Sequence, residues 1–248
     1  MSKESLEKLN QTLLEHFEET GVKNAFYYAP VDDHYWNKRE NAKRIAFCNL
    51  EPYKKDEKTP LNGYELLSKE ILYDNWFYTN TPGRIFLFNY FLSKALYNDE
   101  ENTPEELGDI FRKIKKSEEI DNLLWEEFDN SLYFNFRYTF NETGSTNADI
   151  PYIVNQYKDP FYCQFYRDFV KEAQIDVLVI GSKDGCNLIN KIYPELHLEY
   201  KGKPVKFQNT IFISTEHPSR ISYDDMLNNI EMIYEAVHHN NYITITVC

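Results

Sequence analysis

Glycine is scarce in this chain, with eight residues in 248 and none in a GxGxxG or GxxxxGK[ST] arrangement. Loops that cradle phosphate on closely spaced backbone N–H groups need such glycines, so a nucleotide-binding loop of that kind is not expected. Cysteine is equally sparse. Cys48, Cys163, Cys186 and Cys248 show no CxxC spacing, which argues against a disulfide framework and favours reduced thiols in a cytoplasm. No apolar run approaches the roughly 20 residues that cross a bilayer, so no membrane-spanning role is expected. Positive charge is also in deficit. With 27 Lys and Arg against 40 Asp and Glu, the formal net charge is −13, which works against non-specific adhesion to nucleic acid although a local basic patch can still serve a polyanion.

What the chain has in quantity is aromatic and apolar substance. Hydrophobic residues make up 42%, with 20 Tyr and 17 Phe, enough for one substantial core in which aromatic packing fills much of the interior. A single domain over 1–248 with an N-terminal helical extension is expected. In that extension Leu6, Leu9, Leu13, Leu14 and Phe17 form one apolar stripe at helical spacing across Ser2 to Thr20, an amphipathic helix rather than a signal-peptide core.

Beyond it, Ala25 to Asn41 reads as an ordered loop into a strand over Arg44 to Cys48. Helices are expected from Thr81-Pro82 to about Tyr97 and from Pro104 to Phe128. Leu132 to Tyr138 alternates as a strand, and Asn141 to Asn147 reads as a loop that can lie over a site. Phe161 to Ala173 reads as a helix feeding Val177-Leu178-Val179-Ile180-Gly181, a continuous apolar run of the kind buried in a parallel sheet. A helix to Ile192 follows. Leu196 to Tyr200 and Val205 to Gln208 suggest a small hairpin, before a strand Thr210 to Thr215, a helix Tyr223 to His238 and a terminal strand Tyr242 to Val247. Strands separated by helical crossovers imply a three-layer α/β/α sandwich around a mostly parallel sheet. The strands ending at Cys48, Tyr138, Gly181 and Thr215 are expected to turn their carboxyl ends to one cleft.

Two segments leave such strand ends carrying chemistry. Asn49-Leu50-Glu51-Pro52-Tyr53 offers a carboxylate, and Glu216-His217-Pro218-Ser219-Arg220-Ile221-Ser222 offers an imidazole. Together a carboxylate and a histidine can orient water and stabilise a developing anion. His238-His239 does not read as a metal site, because adjacent residues point to different sides of a helix and no Cys or acid cluster completes a ligand set.

The order of these segments resembles the uracil-DNA glycosylase superfamily. Asn49-Leu50-Glu51-Pro52-Tyr53 is similar to its Gly-Gln-Asp-Pro-Tyr motif, and His217-Pro218-Ser219-Arg220-Ile221-Ser222 to its late His-Pro-Ser-Pro-Leu-Ser. Between them, Trp125 followed by Leu132-Tyr133-Phe134-Asn135, and then Val177 to Ser182, resemble the intervening strands, so the likeness covers about positions 44 to 230. Glu51 stands where the family has aspartate, and Arg220 where it has proline.

The resemblance implies excision of uracil or a related damaged base from DNA, by hydrolysis of the N-glycosidic bond with neither metal nor organic cofactor. Glu51 takes the position of the water-orienting carboxylate, and His217 that of the hydrogen-bond donor to the departing base. Tyr53 crowds the C5 edge of the base and Asn135 reads its pyrimidine edge, with Asn89 as a rival reader. Ser219 grips a phosphate beside Arg220, and Ile221 is an apolar wedge projecting from the rim. The stacking aromatic stays open among Tyr64, Trp76 and Phe77. The altered first motif and the acidic charge carry a rival reading, a catalytically degenerate relative that binds a protein partner or a nucleobase-like ligand.

Overall fold

Alternation along the strands divides the interior of the protein into two cores, one on each face of a six-stranded sheet. The computed structural model describes residues 3–23, 25–30, 33–36, 43–50, 91–92, 96, 103–114, 131–139, 148–217 and 221–246. Its strands are β1 (Ile45–Asn49), β2 (Leu132–Asn135), β3 (Val177–Gly181), β4 (Val205–Phe207), β5 (Thr210–Thr215) and β6 (Ile243–Ile245). Their spatial order is β2-β1-β3-β5-β4-β6. The first four in that order are mutually parallel, and β4 runs antiparallel to β5 but parallel to β6. Successive side chains of a strand point to opposite faces. Ala46, Cys48, Leu132, Phe134, Leu178, Ile180 and Phe212 therefore enter one core, while Ile45, Phe47, Tyr133, Val177, Val179, Ile211 and Ile213 enter the other.

Helices cover both faces, as the continuous apolar runs of β1 and β3 require. On the first core lie α1 (Lys3–Thr20), α4 (Ile150–Gln156), α5 (Pro160–Glu172) and α6 (Lys183–Ile192). The second core is closed by α7 (Tyr223–His238) through Met226, Ile230, Ile233 and Ala236, by Leu107 of α3 (Pro104–Ile114), and by Phe91, Leu92 and Leu96. A short helix, α2 (Asp33–Trp36), lies in the segment expected to be loop. The N-terminal helix is not peripheral. Leu6, Leu13 and Phe17 are buried in the same core as the strands, and His16 stacks on Phe161 of α5 with ring centroids 3.7 Å apart.

Helix starts follow local capping chemistry. Thr103 and Glu106 form a reciprocal box before α3, with Thr103 N–H donating to Glu106 Oε2 at 2.7 Å and Glu106 N–H donating to Thr103 Oγ1 at 3.3 Å. Asp149, Asp159, Ser182 and Ser222 cap α4, α5, α6 and α7. Inside α6, a Cβ on Gly185 would stand 2.9 Å from Ile180 Cγ2 and 3.2 Å from Phe136. The absence of a side chain there lets the helix start against the carboxyl end of β3.

Three further features depart from expectation. Strand β2 ends at Asn135 rather than Tyr138; Phe136 and Arg137 still donate to the β1 segment, and Thr139 then bridges Ala25 in antiparallel fashion. The hairpin is formed by β4 and β5 around Gln208-Asn209, with Gln208 at φ 54°, rather than by Leu196 to Tyr200 with Val205 to Gln208. Leu196 to Tyr200 forms no strand. Leu196 and Leu198 are buried at strand-like spacing, but the Asn190 side-chain amide takes both backbone groups of Leu198, each at 2.7 Å. That amide does the work of a neighbouring strand.

Candidate functional site

The connection from β1 goes to β2 on one side, and the chain then crosses back to β3 on the other. Such a reversal opens a crevice outside the carboxyl ends of β1 and β3, the place where ligands bind in open α/β sheets. Registers place the candidate segments around it. Asn49 pairs with Asn135 across β1 and β2, and Gly181 pairs with Thr215 across β3 and β5. His217 follows two residues beyond Thr215, and Glu51 two beyond Asn49. With β1 and β5 separated only by β3, their ends lie about 10 Å apart, two inter-strand spacings.

The pairing of β1 and β2 continues past the strands into the crevice. Phe136 N–H donates to Asn49 O at 3.0 Å, and Arg137 N–H to Leu50 O at 3.1 Å. Asn135 is half-buried, and its Nδ2 donates to the Tyr28 hydroxyl at 2.8 Å. Tyr28 is buried, and burial holds its phenol well above the ordinary tyrosine range, so it stays protonated. Arg137 is also buried. Its Nε donates to Thr139 Oγ1 at 3.0 Å and its guanidinium lies 4.1 Å from the centre of the Tyr152 ring, so the cation rests on an aromatic face.

The histidine-bearing segment is clamped at its two ends by one cation. Lys201 Nζ lies 3.2 Å from Glu216 and 3.0 Å from Asp225, on either side of His217 to Ser222. The Ser222 hydroxyl, followed by Lys201, pulls the Asp225 carboxyl down to about 2, and Asp225 in turn raises Lys201. His217 is half-buried. Ile221, expected to project from the rim as a wedge, is half-buried and packs against the core that α7 closes.

Glu51, Tyr53, Ser219 and Arg220 lie outside the described residues, as do Tyr64, Trp76, Phe77, Asn89 and Trp125. Among the described residues no group of three or more His, Cys, Asp or Glu could hold a metal ion, and no helix is long and apolar enough to cross a membrane. His239 Nδ1 is engaged by Glu235 at 2.9 Å. Cys48, next to the first motif, is no nucleophile in this setting. Burial pushes its thiol far up, outweighing the Tyr166 hydroxyl that donates to its sulfur at 3.2 Å.

No family model and no curated protein matches the chain. The placement of functional groups therefore rests on the geometry of the carboxyl edge. A cavity of about 510 Å³ lies at the opposite, amino edge, between Arg44, Arg167 and Thr210. Its arginines are structural: Arg44 donates to the carbonyls of Tyr35 and Trp36, and Arg167 to Ile192 O and Glu195.

Three residues in or around the crevice lie outside the sequence motifs. Tyr28 meets Asn135, Arg137 rests on Thr139 and Tyr152, and Lys201 meets Glu216 and Asp225; only Arg137, two positions after the strand-ending asparagine, is adjacent to a motif in sequence.

Proposed function

We propose that the protein is a divergent uracil-DNA glycosylase-like hydrolase that extrudes uracil or a related damaged base from DNA and cleaves its N-glycosidic bond. The observation that carries this reading is the register that sets the carboxyl ends of β1, β2, β3 and β5 along one edge of the sheet, with Asn135 beside Asn49 at the start of the Glu51 segment and Thr215 leading to His217.

In this reading the flipped base enters the crevice and Asn135 hydrogen-bonds its edge. The bond from the sugar C1′ to the base nitrogen breaks with its electron pair going to the base, and His217 donates a hydrogen bond to the anion as it forms. The sugar passes through an oxocarbenium-like state. Glu51 orients water toward C1′ and takes its proton as the new C–O bond closes. Tyr53 excludes a 5-methyl group, while Ser219 and Arg220 contact the phosphate backbone. The products are the free base and an abasic site, and the reaction needs no redox partner.

The net charge of −13 favours a second reading, a relative that has lost turnover and binds a nucleobase-like ligand or a protein. Labelled oligonucleotides carrying one uracil, incubated with purified protein and then treated with hot alkali, separate the two. Strand cleavage at the uracil is the expected result. Intact strands with uracil and with a panel of damaged bases would overturn hydrolysis and leave the binding reading.

A further inference from the structure

Asn135 is oriented by a residue far from it in sequence. Its Nδ2 donates to Tyr28 Oη at 2.8 Å, and Oη lies 3.2 Å from the backbone oxygen of Arg137. A carbonyl oxygen can only accept, so the single phenol proton goes to Arg137 and a lone pair is left for Asn135. The group beside Tyr28 must then be the amide NH2. Turning the amide over would set Oδ1 against that lone pair.

Tyr28 is itself immobilised. It is 3% exposed, its backbone oxygen accepts from the buried Asn10 Nδ2 at 2.9 Å, and its ring meets Phe26 and Phe134 edge-on at 5.2 and 6.3 Å. The donor chain therefore runs one way, from Asn135 through Tyr28 to Arg137. Among the described residues it leaves Oδ1 and one N–H of Asn135 for a ligand.

We propose that Tyr28 is a positioning residue that fixes the donor–acceptor polarity of Asn135, so that the crevice selects a ring edge presenting N–H beside a carbonyl over one presenting a bare ring nitrogen beside an amino group. Uracil has the first edge and cytosine the second. With the amide held, uracil N3–H meets Oδ1 and O4 meets the remaining N–H. Cytosine needs both reversed, which costs the Tyr28 hydrogen bond and leaves two acceptors facing each other. The inference rests on the proposed function for the presence of a base in the crevice, but not on turnover.

The test compares the parent with Tyr28→Phe, which removes only the hydroxyl. Excision is measured on uracil- and cytosine-containing single strands, and binding of the free bases is measured by NMR titration. The preference for uracil is expected to fall by about tenfold, the worth of one hydrogen bond; a merely structural loss would lower both bases together. An unchanged preference in a folded Tyr28→Phe protein overturns the role of Tyr28 and leaves the glycosylase reading intact. Preferential uracil binding that weakens in Tyr28→Phe, without excision of any base, supports Tyr28 and sinks hydrolysis. No preference in the parent overturns the inference. Should Tyr28→Phe fail to fold, the parent decides: one Asn135 side-chain amide proton protected from exchange is expected, and two rapidly exchanging protons are the refuting result.

Discussion

Lys201 and Asp225 meet at 3.0 Å, with Glu216 3.2 Å from the same ammonium, so one side chain ties the end of β5 to the first turn of α7. The segment carrying His217 is held between those two anchor points.

The pH dependence of this clamp has a definite sign. Ser222 and Lys201 depress the Asp225 carboxyl to about 2, below the value near 3.9 of an unfolded aspartate. Its stabilising contribution is present above that unfolded value and is lost as pH falls through about 2. Lys201 is raised, so its share is complete below about 10.4 and is lost as pH rises through its folded value. Lys201→Met should flatten the acid limb of a plot of melting temperature against pH. Because the side chains are partly exposed, the loss at neutral pH should not exceed about 1 kcal/mol. An acid limb identical to that of the parent would remove the clamp.

His217→Ala should lower single-turnover excision by about 10²–10³-fold while DNA affinity changes little, since a donor to a departing anion acts mainly as charge develops. Parallel loss of affinity and rate would assign His217 to substrate binding instead.

Ile221 packs against the core, so Ile221→Ala should cost roughly 1 kcal/mol of stability, about half the transfer energy of a fully buried side chain. Excision from duplex and single-stranded DNA should fall by the same factor. A loss confined to duplex substrate would restore the wedge role.

Asn190→Ala removes both side-chain bonds to the Leu198 backbone. Leaving two backbone groups without these partners should cost about 2–3 kcal/mol in denaturant unfolding. The Leu198 amide should also exchange faster with solvent than in the parent. If that amide stays as protected as before, Asn190 does not replace the missing strand.

Local pattern was enough for much of the fold. The apolar run Val177 to Gly181 is a parallel strand with every residue buried, and α7 spans the Tyr223–His238 range its periodicity predicts. These elements are legible because backbone geometry sets a repeat of 2 or 3.6 residues, and burial of one or both faces writes that repeat into the residue order. The separation of the two motif segments also placed them at strand ends, where the register brings Asn49 beside Asn135.

Tertiary structure decided the partners. Leu196 and Leu198 carry a strand-like alternation, yet a side-chain amide rather than a strand satisfies the backbone between them. Ile221 is apolar wherever it points, and only the packing of α7 turns it inward. Tyr28 and Asn135 stand 107 positions apart, and no local periodicity links them. Their contact exists because α1 anchors Tyr28 through Asn10 while β2 delivers Asn135 to the same crevice. Periodicity depends on geometry repeated along the chain, whereas a hydrogen-bond partner depends on which surfaces the fold brings together.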